Sequence, residues 1–106
     1  MTSDTKNFGL KKEIVEKLKS IFSRHSKIEK VVIYGSRAKG NYRDASDIDI
    51  CMFGSKLTTS DLLKIEDELD ELLLPYKIDL SLFHQIDNDE LIDHIKLLGR
   101  ELDLHR

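Results

Sequence analysis

Two aspartates separated by one residue stand at the entrance to an alternating apolar run. Asp47 and Asp49 flank Ile48 and lead into a stretch that ends near Phe53. A β-strand places residues i and i+2 on the same face, so we expect both carboxylates to point the same way. Neighbouring carboxylates repel each other unless a positive charge lies between them, and a hard divalent cation accepts such oxygen ligands. The spacing therefore predicts a metal-binding pair.

A glycine-serine pair precedes these aspartates by ten residues. Gly35 and Ser36 directly follow Tyr34, at the end of the apolar run of residues 31–33. If a short helix starts there, its free backbone N–H groups could hold a phosphate. A metal site and a phosphate site together indicate phosphoryl or nucleotidyl transfer.

Several helices and strands are predicted around this motif, and each is identified by the spacing of its apolar residues. We predict an amphipathic helix from Leu10 to about His25, and a second helix over residues 60–73 that Pro75 ends. A last helix is predicted to begin at an Asp87/Glu90 capping box and to end at Gly99. The predicted strands are Lys30–Tyr34, Asp47–Phe53 and Lys77–Phe83. Residues 36–42 are interpreted as a basic loop with one or two helical turns, and residues 100–106 as a short strand or a tail.

The predicted element order is αβ(α)βαβα. Only about a dozen residues join the first two strands, so these strands are expected to be antiparallel neighbours. The helix over residues 60–73 is long enough to be a crossover that makes the third strand parallel to the second. Asp79 of the third strand would then meet Asp47, Asp49 and the Gly35 turn at one edge. We predict an α/β (α+β) fold with a small, mixed, three-stranded sheet flanked by helices.

Composition narrows the classes of function. The 106 residues predict one domain, residues 1–106, with a core at about residues 10–100. The 17 basic and 20 acidic residues leave a net charge of −3, which argues against a broad nucleic-acid surface, so direct nucleic-acid binding is not expected. Cys51 is the single cysteine, and neither a signal peptide nor a membrane span is recognised. These features predict a cytoplasmic protein without a membrane partner.

Competing motifs fail on their spacing. Gly35 and Gly40 have the separation of a P-loop, but Asn41 and Tyr42 stand where a lysine and a hydroxyl residue are needed. The four histidines lack the spacing of zinc ligands, and we expect surface or partly buried roles for His25, His84, His94 and His105. Cys51 lies in an apolar strand and is expected to pack rather than to act as a nucleophile.

The whole arrangement resembles the DNA polymerase β-like nucleotidyltransferase superfamily. The signature of that superfamily is Gly-Ser, ten further residues, and Asp-x-Asp or Asp-x-Glu. The segments Gly35–Gly40 (Gly-Ser-Arg-Ala-Lys-Gly) and Ser46–Ile50 (Ser-Asp-Ile-Asp-Ile) are similar to those of minimal nucleotidyltransferases of the MntA type. The resemblance spans about residues 10–100 and implies the polymerase β-like fold.

For the acidic residues, the resemblance implies metal chemistry. Asp47 and Asp49 would hold two Mg²⁺ ions that bridge the triphosphate of ATP. Asp79 would ligate the second ion and help to deprotonate the hydroxyl that accepts the nucleotide.

For the turn, the resemblance implies phosphate contacts. Gly35 would let the backbone approach the triphosphate, and Ser36 would donate hydrogen bonds to its β- and γ-phosphates. Arg37, Lys39 and Arg43 are candidates for phosphate or partner contacts, and a solvated loop explains these three basic side chains equally well.

The acceptor of the nucleotide must come from another molecule, since no second domain that could grip it is recognised. The resemblance implies that this molecule is a small helical HEPN-domain toxin, and that AMP passes from ATP to one of its tyrosines. Two alternatives stay open: a non-catalytic antitoxin that acts by complex formation, and a nucleotidyltransferase for a small molecule or an RNA end. Intact Asp47, Asp49 and Asp79 favour an enzyme, and the net charge of −3 disfavours an RNA substrate.

Overall fold

The computed structural model describes residues 8–39 and 47–104, with the backbone only at Ser36 and Lys39. Its elements follow one another in the order α1 (Lys12–Ser23), β1 (Lys30–Tyr34), α2 (Ser36–Lys39), β2 (Ile48–Phe53), α3 (Thr59–Asp70), β3 (Ile78–Leu82), a 3₁₀ turn (Phe83–Gln85), α4 (Asp89–Leu98) and β4 (Arg100–Glu101). The predicted strands and helices are present, and most of their ends differ from the prediction by one to three residues.

The strands in the described residues form one mixed sheet in the order β3-β2-β1-β4. β1 pairs antiparallel with β2, and β2 pairs parallel with β3, as the connection lengths predict. β4 adds a fourth strand, antiparallel to β1, by pairing Arg100 with Ile33 and Glu101 with Val32. The predicted fold class is confirmed, but the predicted number of three strands is wrong. A strand of two residues is too short to show the alternation that identifies longer strands.

Helices cover both faces of this sheet. On one face, α1 and α3 bury Leu18, Phe22 and Ile65 against Ile48 and Ile50 of β2. These five side chains are almost fully removed from water, and each large apolar side chain buried in this way contributes about 1.5–3 kcal/mol. This is the main core.

The opposite face carries a smaller cluster. Val32 and Tyr34 of β1 and Cys51 of β2 pack there against Ile95 of α4. Because β2 is buried on both faces, its side chains alternate between the two clusters, and Asp49 belongs to the face that α4 covers only in part.

The ends of α3 show how the helix is aligned. At its start, the Thr58 hydroxyl accepts a hydrogen bond from the Asp61 N–H, and the Asp61 carboxylate accepts one from the Thr58 N–H at 2.9 Å. At its end, the helix stops at Asp70, so the prediction that Pro75 ends it is wrong. Leu73 takes the left-handed conformation, with φ +54°, and reverses the chain before the proline is reached.

For α4, the residue that caps the start differs from the prediction, and the predicted end at Gly99 is confirmed. Asn88 rather than Asp87 caps the helix, because the Asn88 Oδ1 accepts hydrogen bonds from the N–H groups of Glu90 and Leu91 at 3.0 and 3.2 Å. Gly99 follows the last turn with an extended backbone, and its N–H donates to the Ile95 carbonyl. A side chain at Gly99 would collide with Ile95 and Val32, so glycine is needed there to let the backbone pass close to these two residues.

None of the helices within residues 8–39 and 47–104 combines the length and the apolar character that a membrane span needs.

Candidate functional site

The pairing register sets three polar side chains in one row across the sheet. Tyr34 of β1 lies opposite Asp49 of β2, and Asp49 lies opposite Asp79 of β3. Register partners project from the same face of a sheet, so this row runs directly from strand to strand. Asp47 stands one residue before β2 and two residues before Asp49. The structure thus brings together the aspartates that the sequence analysis placed at one edge.

Negative charge accumulates along this row. The pKa of Asp49 is raised, first by burial and then by the nearby charges of Asp79 and Asp47, while His94 acts in the opposite direction. A raised pKa means that the ionised carboxylate is less stable in the folded protein than in water. A cation bound among these aspartates would relieve that repulsion.

The donor set suits a hard cation such as Mg²⁺, because all of its ligand atoms are carboxylate oxygens. Within residues 8–39 and 47–104, however, no group of three His, Cys, Asp or Glu side chains is close enough to hold an ion by itself. Asp79 and Asp47 are exposed and Asp49 is half-buried, so they line an open edge rather than a closed cage. A metal ion bound at such an open edge would keep some of its coordination positions available for oxygen atoms of a ligand.

The glycine turn comes close to the row. Gly35 lies between β1 and α2 and has φ +77°, in the left-handed region that glycine adopts without strain. A Cβ atom at this position would overlap Oδ2 of Asp49. The turn therefore requires glycine twice, once for its conformation and once for the approach of the carboxylate.

One backbone donor of this turn already has a partner. The Gly35 N–H donates to Nε2 of His94, at 3.3 Å, so the expectation that this N–H is free is wrong. His94 comes from α4, and its ring meets the ring of Tyr34 edge-on, with centroids 6.1 Å apart and an interplanar angle of 78°. The sequence analysis missed this residue. The available signal was its position between Leu91 and Ile95, on the side of α4 that faces the sheet.

Arg37 makes its contacts inside the protein. The side chain is 2% exposed. Its Nη1 donates to the carbonyl oxygen of Phe8 at 3.1 Å, and its guanidinium lies 4.9 Å from the ring centre of Tyr76. Arg37 thus ties the one-turn helix α2 to two distant segments. The predicted contacts of Arg43, Lys39 and the Ser36 hydroxyl lie outside the described part of the structure.

Two other reactive groups near the row are kept protonated. Burial raises the pKa of the Tyr34 hydroxyl, with smaller contributions in the same direction from Asp49 and Asp79 and an opposing one from its hydrogen bond with Ser81. Burial also raises the pKa of the Cys51 thiol to about 11. A thiol in that state is a poor nucleophile near neutral pH.

A groove of about 540 Å³ opens elsewhere, between the C-terminal half of α3 and β3. Leu69, Leu73, Tyr76 and Ile78 line it, and its described lining includes none of Gly35, Arg37, Asp47, Asp49 and Asp79. We therefore place the candidate site at the acidic row rather than in this groove.

The chain is similar to known proteins in sequence. Residues 16–102 match the family described as "Polymerase beta, Nucleotidyltransferase". A protein of Methanocaldococcus jannaschii, MJ1217, which is named as a candidate protein adenylyltransferase, is 33% identical over 78 residues that cover 73% of this chain and 79% of the relative.

Two solved structures have a similar fold. A toxin–antitoxin complex with AMP-PNP superimposes with a TM-score of 0.68 at 21% identity, covering 89% of this chain and 73% of the other. A complex of the tri-AMPylated Shewanella oneidensis HEPN toxin with its MNT antitoxin superimposes with a TM-score of 0.59 at 18% identity, covering 97% and 72%. At these identities the likeness establishes the fold.

Proposed function

The chain belongs to the polymerase beta nucleotidyltransferase family, and from this premise we propose that it transfers AMP from ATP to a hydroxyl group of a partner protein. The observation that carries the proposal is the row in which Asp49 lies beside Asp79, next to the Gly35 turn. A nucleotidyl transfer needs little more than charge neutralisation at the triphosphate and a positioned acceptor hydroxyl.

Asp47, Asp49 and Asp79 would hold Mg²⁺, two ions in the proposed complex with ATP. The metal supplies the positive charge that the triphosphate needs during transfer. Asp79 is the most exposed of the three residues in the row Tyr34–Asp49–Asp79. We assign it a second role, in which its carboxylate accepts the proton of the acceptor hydroxyl.

The turn serves the triphosphate. Gly35 holds the backbone beside Asp49, and Ser36 at the start of α2 is the proposed donor to the phosphates. Arg43 remains a proposed phosphate contact. We infer that Arg37 supports the site indirectly, because its side chain is buried against Phe8 and Tyr76.

The proposed partner is an HEPN-domain toxin, and the proposed acceptor is one of its tyrosines. Relatives named as candidate protein adenylyltransferases and the fold shared with an antitoxin bound to an AMPylated HEPN toxin support this choice. We infer that the partner itself presents the acceptor hydroxyl, so proximity is gained by forming a hetero-complex.

Intact-mass spectrometry tests the proposal. The chain is mixed with its proposed HEPN-domain partner, ATP and Mg²⁺, and we expect the partner to gain the mass of one AMP residue or a multiple of it. Chelation of the metal should stop the reaction. The double variant Asp49→Asn/Asp79→Asn should be at least about 100-fold slower, the usual cost of losing charge stabilisation in a transition state. Cys51→Ala is the matched control and should retain activity, since no thiol intermediate is involved.

Two results would contradict the proposal. A partner that is bound and inhibited without any gain in mass would indicate an antitoxin that acts by binding alone. A gain of AMP on RNA or on a small molecule, with none on the partner, would keep the nucleotidyl transfer but replace the acceptor.

A further inference from the structure

His94 joins α4 to the glycine turn. Its Nε2 accepts the hydrogen bond of the Gly35 N–H, across 59 positions of sequence. The ring is half-buried, and its edge-on contact with Tyr34 limits its rotation. α4 itself is fixed to the sheet by Ile95, the next residue along the chain, which is 2% exposed. The acceptor atom is therefore carried by a helix that packs against the sheet.

The hydrogen bond assigns a role to one ring nitrogen. Nε2 of His94 accepts from the Gly35 N–H, and a ring nitrogen can accept a hydrogen bond only if it carries no proton itself. The peptide that it holds begins the left-handed turn at Gly35, where φ is +77°. Glycine is the residue with the greatest backbone freedom, so a fixed acceptor at this point removes more disorder than it would elsewhere.

We propose that His94 is a positioning residue of the nucleotide site, which fixes the Gly35 turn, and with it the start of α2, before the triphosphate binds. This inference rests on the proposed function in assigning the triphosphate to that turn. His94 acts on the turn through its backbone, because its partner there is the Gly35 N–H. The benefit is pre-organisation, since a turn that is already ordered costs the ligand no ordering.

Two substitutions separate positioning from packing. His94→Phe keeps a flat ring against Tyr34 and removes the acceptor. His94→Gln removes the ring and keeps an acceptor at similar reach. If His94 only fills space, Phe is the milder change, and if it positions the turn, Gln is the milder change.

The first measurement is the affinity for AMP-PNP with Mg²⁺ by calorimetry, together with kcat and KM for ATP in the complex with the HEPN partner. We expect His94→Phe to raise Kd and KM by about two- to tenfold, the scale of one neutral hydrogen bond, with kcat unchanged. His94→Gln should stay within about twofold of the parent chain. His84→Phe, at an exposed histidine of the 3₁₀ turn, is the matched control and should change nothing.

The second measurement needs no activity. Hydrogen exchange of the Gly35 amide, followed by nuclear magnetic resonance, should accelerate in His94→Phe and be restored in His94→Gln. If His94→Phe fails to fold, His94→Leu supplies the same loss of the acceptor.

The outcomes distinguish the two proposals. Unchanged Gly35 exchange and unchanged AMP-PNP affinity in the acceptor-free variant would overturn the role of His94. Equal losses in the Phe and Gln variants would do the same, because packing explains them. If AMP-PNP affinity and Gly35 exchange follow the expected pattern but no AMP is transferred, the role of His94 stands and the proposed transfer to a partner fails.

Discussion

The carboxylate of Asp49 collects contacts from both neighbouring strands and from the turn. Asp79 lies beside it on β3, Asp47 precedes β2 by one residue, and Gly35 leaves room for its Oδ2. Burial raises the pKa of Asp49, and the charges of Asp79 and Asp47 raise it further. A functional carboxylate held in an unfavourable state is expected to reduce stability.

Replacing this carboxylate with an amide should therefore stabilise the metal-free protein at neutral pH. The pKa of Asp49 is higher in the folded protein than its ordinary value of 3.8, so the folded state binds more protons and loses stability as the pH rises through this range. We expect Asp49→Asn to gain up to about 1 kcal/mol at neutral pH, a limit set by solvent screening, and almost nothing at about pH 3. Urea unfolding in the presence of a chelator measures both values. Asp87→Asn, at an exposed aspartate, is the control, and a loss of stability at neutral pH would show that Asp49 is a structural acceptor instead.

Gly35→Ala should combine a structural and a functional loss. The left-handed conformation costs a non-glycine residue about 1–2 kcal/mol, and the new Cβ would also displace the Asp49 carboxylate. Gly9→Ala, at an exposed glycine with φ +72°, is the control for the backbone cost alone. In a denaturant titration, Gly35→Ala should lose at least as much stability as Gly9→Ala. In a binding titration, only Gly35→Ala should weaken the binding of AMP-PNP. Unimpaired binding in Gly35→Ala would place the phosphates away from this turn.

At the scale of the elements, the crossover helix α3 determines the position of Asp79 in the sheet. The helix begins at a capping box between Thr58 and Asp61, and Lys27 reaches the same Asp61 carboxylate at 3.2 Å. This cap sets the first turn of the crossover that carries the chain from β2 to the parallel strand β3.

Loss of the cap should cost stability without touching the site. We expect Thr58→Ala to lower the free energy of unfolding by about 1 kcal/mol, the usual value for an N-cap hydroxyl. Thr59→Ala, one residue further into the helix and exposed, lacks a cap hydrogen bond and should have a small effect. Urea unfolding of the two variants measures the difference, and equal losses would mean that the capping box does not hold the helix in solution.

Much of this arrangement follows from local pattern. β1 could be predicted residue by residue because Lys30–Tyr34 is β-branched and aromatic, and the meeting of Asp49 with Asp79 follows from one short and one helical connection. Competing local choices explain other errors: Asn88 and Asp87 are equally good caps by residue type, and Leu73 carries no sequence signal for a left-handed backbone.

The contribution of His94 could not be predicted for a different reason. Its partner is a backbone N–H of a turn 59 residues away, and a backbone donor has no residue type that a sequence could reveal. The pairing of β4 is a similar case: a short strand within residues 100–106 is one of the two predictions for that segment, but its pairing with β1 joins distant segments that a two-residue strand does not reveal.

The whole molecule should become more stable when the site is filled. Any ligand that binds only the folded state stabilises it, by about 2.7 kcal/mol at a free concentration of 100 times Kd. We expect AMP-PNP with Mg²⁺ to raise the midpoint of thermal unfolding, and removal of Mg²⁺ to abolish most of that rise. The rise should be reduced in Asp79→Asn and retained in Cys51→Ala. An equal rise in all variants would place the nucleotide elsewhere.

The residues of the candidate site are far apart in the sequence, so they are synthesised at different times. The glycine turn and Asp49 leave the ribosome first, and Asp79 and His94 follow only after the crossover helix α3 has been made. A nascent or cleaved chain that stops before residue 78 carries the motif in its sequence but has no site in space, because pairing between distant strands completes it. We therefore expect the candidate site to form only in a chain that has completed the pairing of β3 with β2.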